Sequence, residues 1–254
     1  MISVITPAHN EELFIKKCLC SVTVAAKEVP DEVEHIVVLN RCTDKTGGIA
    51  TEWGARVITD DSRNLSRIRN KGAEASEGDI LVTIDADSQM TSNMLQEVLR
   101  KLDSGKYIGG GVKIVPERIS PGILCSLLVV APFVLWHGVS AGMFWCLRKD
   151  YEAIGGFNEK LACVEDIDFG KRLKKYGKDL GKRYCTIRKA HIVTSCRKFD
   201  QFGDWYFIKN PVVVYRVFKR YQKQADQFYY DARSENTEPS AALDRRGRDD
   251  LEHL

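Results

Sequence analysis

The sequence lacks a cysteine framework for metal. Its eight cysteines (Cys18, Cys20, Cys42, Cys125, Cys146, Cys163, Cys185, Cys196) are scattered, and none forms the CxxC pair of a structural zinc site. Free thiols in a reducing compartment are therefore expected. A leader is not expected either: "MISVITPAHNEE" has no basic start and no long apolar stretch, and it reads as a strand rather than a signal peptide. That points to a cytoplasmic protein. There is no excess of one charge, since 38 basic residues face 35 acidic ones for a net +3, which gives no reason to expect a nucleic-acid partner. No internal repeat is visible. The longest apolar run, "GILCSLLVVAPFVLW" (122–136), is broken by Pro132 and falls short of the roughly 20 residues a spanning helix needs. A buried or membrane-surface helix is expected there, which leaves a peripheral membrane contact open.

The 254 residues, 44% hydrophobic and 29% charged, suffice for one globular unit with a sizeable core. Four short Ile/Val-rich runs, "ISVIT" (2–6), "HIVVL" (35–39), "ARVIT" (55–59) and "DILVTI" (79–84), show no polar alternation, as strands covered on both faces do. Segments of helical spacing separate them. The alternation predicts an α/β fold with a Rossmann-like, doubly wound, mainly parallel sheet. Beyond residue 90 the pattern loosens: a helix at about 91–104, strands in "YIGGGVKIV" and "GMFWCLRK", and helices at about 164–177 and within 200–224 suggest an appended lobe. The polar residues 224–254 read as a mobile tail.

In an open α/β sheet, ligands bind beyond the carboxyl ends of the strands. Pro7, His9, Asn10, Glu11 and Glu12 follow the first run, Asn40, Arg41, Thr43 and Asp44 the second, and Asp85 and Asp87 the fourth. If the strand geometry continues, Asp85 and Asp87 face one cleft, where two unpaired carboxylates repel and a divalent cation is the usual remedy. Oxygen ligands favour Mg²⁺ or Mn²⁺, which share substrate phosphates. The alternative is that one of the acids caps the next helix, although Thr91 or Ser92 is better placed for that.

Taken in order, "VITPAHNEELFIKKCLCSV", "EHIVVLNRCTDKTGGIA", "RIRNKGAEASEGDILVTIDAD" and "IGGFNEKLACVEDIDFGKRLKKYG" resemble the family 2 glycosyltransferases of the GT-A fold, over about residues 1–195. The resemblance implies transfer of a sugar from a nucleotide-diphosphate donor, usually with inversion and with Mg²⁺ or Mn²⁺. It implies a GT-A domain over 1–223, with a nucleotide-sugar half at about 1–105 and an acceptor-side half at about 106–223. Pro7, Asn10, Glu11, Asn40 and Asp44 would border the nucleotide, and Arg69 and Asn70 the diphosphate and sugar. Asp85, Ala86 and Asp87 would form the metal motif, with Asp87 the firmest ligand. "EDIDF" would place the general base at Asp166 with Glu165 beside it, where acids also suit the start of a helix. His191 matches a late histidine that some GT-A enzymes give to the metal.

One departure is that Leu39 and Asn40 replace the two adjacent acids of many members, which opens the identity of the base. The acceptor is expected to be lipid-linked, a saccharide or a small molecule, as in polysaccharide or glycolipid assembly. Rival readings are a retaining GT-A transferase acting on a small phosphorylated acid, a nucleotidylyltransferase, and a nucleotide-binding module without chemistry. "PAHNEE" lacks the glycine-rich basic loop of a nucleotidylyltransferase.

Overall fold

A computed structural model of the chain describes residues 1–128, 139–140, 142–161 and 164–209. In chain order the elements are β1 (Ile2–Ala8), α1 (Ile15–Ala26), β2 (Val33–Leu39), α2 (Thr46–Glu52), β3 (Arg56–Thr59), α3 (Leu65–Ala75), β4 (Ile80–Ile84), β5 (Ser88–Met90), α4 (Met94–Asp103), β6 (Tyr107–Pro116), β7 (Met143–Leu147), α5 (Arg148–Ala153), α6 (Glu165–Asp179), β8 (Arg183–Thr194), α7 (Arg197–Phe202) and α8 (Tyr206–Lys209). Residues 121–128 are helical as well.

The strands form one sheet in the order β3-β2-β1-β4-β7-β6-β8-β5. Its first four strands are parallel, and β7 runs antiparallel to both β4 and β6. Three of the Ile/Val runs, those of β1, β2 and β4, become interior strands, whereas the expectation of two covered faces fails for "ARVIT", which forms the edge strand β3 and has no buried residue in it. In β4, Val82 and Ile84 join Cys18, Val22 and Trp145 on one side, and Leu81 joins Ile5, Ile36 and Phe144 on the other. All seven residues of β1 are buried. The second half adds its strands to the same sheet, and the fully buried Trp145 donates its indole N–H to the Gly111 carbonyl at 3.1 Å.

Two features set the position of α3, which carries Arg69 and Asn70. Asn64 caps it by accepting the Arg67 amide at 3.1 Å, a bond typically worth about 1 kcal/mol. Gly72 lets it lie against the sheet, since a Cβ there would fall 2.3 Å from the Ile5 side chain.

Two sequence expectations change. The predicted strand over 142–149 ends at Leu147, because Arg148 begins a helix and turns its guanidinium back to the carbonyls of Gly78 and Ala73 at 2.8 and 3.0 Å. The helix predicted within 200–224 is interrupted at Gly203, whose φ of +84° favours glycine. Its part beyond residue 209, the polar tail 224–254 and the apolar run past residue 128 lie outside the described residues.

Candidate active site

The carboxyl ends of β1, β2 and β4 open together on a cleft of about 280 Å³. Pro7, Glu11, Asn40, Asp85, Ala86 and Asp87 line one side of it, and Thr194, Ser195, Arg197, Lys198 and Phe199 close the other. The two acids reach it through a turn and not through extended strand. The Ser88 amide donates to the Asp85 carbonyl at 3.0 Å, and the chain then leaves β4 to pair as β5 with β8 at the far edge of the sheet. Ala86, at the turn's centre, packs with Ala8 and Ile15.

The expectation of two unpaired acids is corrected, because each is met by an arginine brought from elsewhere in the chain. Arg69, only 3% exposed, donates to Asp85 Oδ1 at 2.9 Å and to Glu165 Oε1 at 2.8 Å. Burial works against its charge, but the carboxylates around it outweigh that and hold the guanidinium above its ordinary pKa. Arg197 grips the buried Glu11 carboxylate with two bonds and reaches Asp87 Oδ2 at 2.9 Å, lying over the Phe14 ring. It too is held above its ordinary value, with burial opposing and Glu11 and Asp87 prevailing.

Arg69 also ties the second acidic motif to the first. Glu165 opens α6 from Val164, whose φ of +56° is a strained conformation for a β-branched residue. Beside it, the half-buried Asp166 accepts the Ile167 amide at 2.7 Å. Burial, reinforced by the neighbouring Glu165 charge and partly offset by Arg69, pushes its carboxyl up to about 7. That is where a carboxylate can exchange protons near neutral pH.

Other sequence-predicted residues serve as framework. Asn10, at φ +51°, accepts the Thr43 amide at 2.9 Å, and Asp44 accepts the Glu12 and Thr46 amides, each at 3.0 Å, so the loops after β1 and β2 brace each other. Asn40 lines the cleft, yet its amide nitrogen donates to the carbonyls of Asp60 and Ser62, both at 2.5 Å. Asn70 is turned away to hold the 157–159 loop, donating to the Phe157 carbonyl and Glu159 at 2.9 Å each.

His191 is not brought to the acids. Its backbone pairs with Thr91, whereas the residue behind Asp87 is Ser195, four positions further on, or about 13 Å of extended chain. Thr194, Ser195, Arg197, Lys198 and Phe199 join the cleft from a part of the chain that the strand-end rule applied to the first four runs does not reach. Their signal in the sequence is that they lie at or just after the end of a strand, β8.

The segment carrying Arg197 is fastened from outside. Arg118 bonds Asp200 at 2.6 Å and Asp204 at 2.7 Å, and Asp204 also accepts the Ser120 hydroxyl at 2.5 Å. Among the described residues no group of three or more His, Cys, Asp or Glu side chains could enclose a metal. A cation would take its protein ligands from Asp85 and Asp87, whose side chains are 38% and 17% exposed. Waters and phosphate oxygens would complete the shell, a sparse donor set that fits Mg²⁺ or Mn²⁺.

Residues 3–123 match the family model described as glycosyl transferase family 2. Glycosyltransferase AglE of Haloferax volcanii is 31% identical over 220 residues, which cover 80% of this chain and 68% of that protein. Against the first curated relatives the chain spans only 22% to 31% of their length. Among solved structures, S. aureus TarS 1–349 in complex with UDP-GlcNAc superposes with a TM-score of 0.62 at 17% identity, covering 91% of this chain and 71% of that one. Glucosyl-3-phosphoglycerate synthase from Mycobacterium tuberculosis, in complex with Mn²⁺, UDP and glucosyl-3-phosphoglycerate, gives 0.57 at 21% identity, covering 85% and 78%. At such identities these two structures speak for the fold alone. The parallel sheet, the acidic turn at its mouth and the kinship with AglE lead to one conclusion: the chain belongs to glycosyl transferase family 2 and has the GT-A fold.

Proposed function

We propose that the cleft binds a nucleotide-diphosphate sugar and that the chain transfers the sugar to an acceptor hydroxyl with inversion, Asp166 acting as general base. The observation that carries this reading is Arg69: one buried guanidinium spans Asp85 and Glu165, so the two acidic motifs meet at one place. Asp85 and Asp87 would hold a divalent cation. When bound, that cation supplies positive charge for the departing diphosphate. Arg197, beside Asp87, can turn to a phosphate oxygen once that carboxylate is otherwise engaged. Asp166, with its carboxyl pushed up to about 7, accepts the proton of the attacking hydroxyl, a contribution of about 10²–10⁴-fold in comparable cases. The nucleotide is expected to lie along Pro7, Glu11 and Asn40. Asn40 would offer the base little beyond its side-chain oxygen, since its amide hydrogens are taken.

The complexes of TarS with UDP-GlcNAc and of the mycobacterial synthase with Mn²⁺ and UDP support this reading by likeness of fold. A thermal-shift screen of nucleotide diphosphates and nucleotide sugars with Mn²⁺ tests it, because a ligand at 100 times its Kd adds about 2.7 kcal/mol of stability. Asp166→Asn should keep that shift and lose transfer. Normal turnover by this variant would overturn the assignment of the base, and retention of the anomeric configuration in the product would overturn inversion.

A further inference from the structure

The helical segment 121–128 is amphipathic the wrong way round for a piece of protein surface. Leu124, Leu127 and Leu128 are 53%, 42% and 64% exposed, whereas the face turned to the protein carries Gly122, Ile123 and Ser126. The inward face is small for a reason: a Cβ on Gly122 would lie 2.7 Å from the Asp204 side chain, and Ser126 donates to the Asp204 carbonyl at 3.0 Å. The leucines are left outside by this seating. Ile119 at 74%, Trp205 at 46% and Ile208 at 38% add to the same side of the molecule, because Arg118 and Ser120 bind Asp200 and Asp204. A surface helix normally hides its apolar stripe, and exposed apolar area of this kind marks an interaction site.

Charge identifies the partner. The sequence has no acid between Arg118 and Lys149, nor between Trp205 and Ala225. The second stretch carries Lys209, Arg216, Lys219, Arg220 and Lys223. Asp200 and Asp204, which lie beside the patch, are already engaged by Arg118. No helix among the described residues is long and apolar enough to cross a membrane. An apolar face with basic residues and no acid in the stretches that follow it in the sequence has the chemistry of a segment that lies in the plane of an anionic bilayer.

We propose that this face, built on residues 119–128 and 205–209, docks the protein on an anionic lipid surface, with the cleft at its border because Arg197 to Phe199 line that cleft. The 254-residue chain is tested by flotation with vesicles of phosphatidylcholine mixed with phosphatidylglycerol, and with vesicles of phosphatidylcholine alone. The wild type is expected to float with the mixed vesicles and to be released by salt. The double variant Leu124→Glu, Leu128→Glu should keep its melting temperature, since both side chains are outside, and bind about tenfold more weakly or worse. In the wild type, mixed vesicles should slow amide exchange over 119–128 and 205–209, a readout that needs no variant. The proposal is overturned if the wild type ignores mixed vesicles, or if the double variant floats as well as the wild type. It is equally overturned if the patch instead forms a dimer in sedimentation that the double variant abolishes. Nucleotide is absent from these measurements, so they stand apart from the assignment of the cleft.

Discussion

The two acidic pairs, Asp85 with Asp87 and Glu165 with Asp166, are similar as sequence, yet one of their four members differs from the rest in chemistry. Asp85 and Asp87 each face a guanidinium, Arg69 and Arg197 respectively, and Glu165 shares Arg69. Asp166 is in no ion pair among the described residues, and burial beside a like charge pushes its carboxyl up to about 7. Three acids are thus arranged to hold positive charge and one to hold a proton. The residue type does not make the difference; the distant arginines do, and α3 and the segment after β8 deliver them.

This contrast can be broken at several points, in falling order of effect. Asp166→Asn should cut transfer by about 10²–10⁴-fold in single-turnover assays while nucleotide still protects the fold. Loss of nucleotide protection as well would place Asp166 with the binding acids. Arg69→Ala removes the charge shared by Asp85 and the buried Glu165 and should cost about 3–5 kcal/mol in urea unfolding, as breaking a buried pair does. A loss below about 1 kcal/mol would mean that the bridge does not organise the site. Asn40→Ala frees the carbonyls of Asp60 and Ser62 and should cost about 1–3 kcal/mol by the same measurement.

The smallest effect is on stability against pH. For Asp166 the folded pKa lies above the ordinary 3.8, so the unfolded chain ionises first, and folding is progressively penalised as pH rises from about 4 to about 7. Asp166→Asn escapes that penalty. Its melting temperature should match the wild type near pH 4 and exceed it near pH 8. A gap that widens toward low pH instead would reverse the sign assigned to this carboxyl.

Much of this was legible in the sequence because it depends on local pattern. Continuous Ile/Val runs give β1 to β4, and polar residues after those runs give the mouth of the cleft. What could not be read depends on pairing between distant residues. Nothing near Asp85 announces Arg69, and nothing near Asp87 announces Arg197. The helical spacing around Asn70 does not say that its amide turns to the 157–159 loop. His191 looked suitable by its lateness in the chain, but the register of β8 against β5 puts Ser195 behind Asp87. The apolar run from Gly122 predicted a helix correctly over its described part, and only the seating of Gly122 on Asp204 shows which face is outside.

The most direct test of the central claim, that the acids at the end of β4 hold a diphosphate through a cation, is calorimetric titration of UDP and GDP into wild type and Asp87→Asn, with and without Mn²⁺. The account predicts binding of at least one nucleotide by the wild type only when Mn²⁺ is present, and its loss in the variant. Equal affinity without Mn²⁺ and in the variant would contradict it.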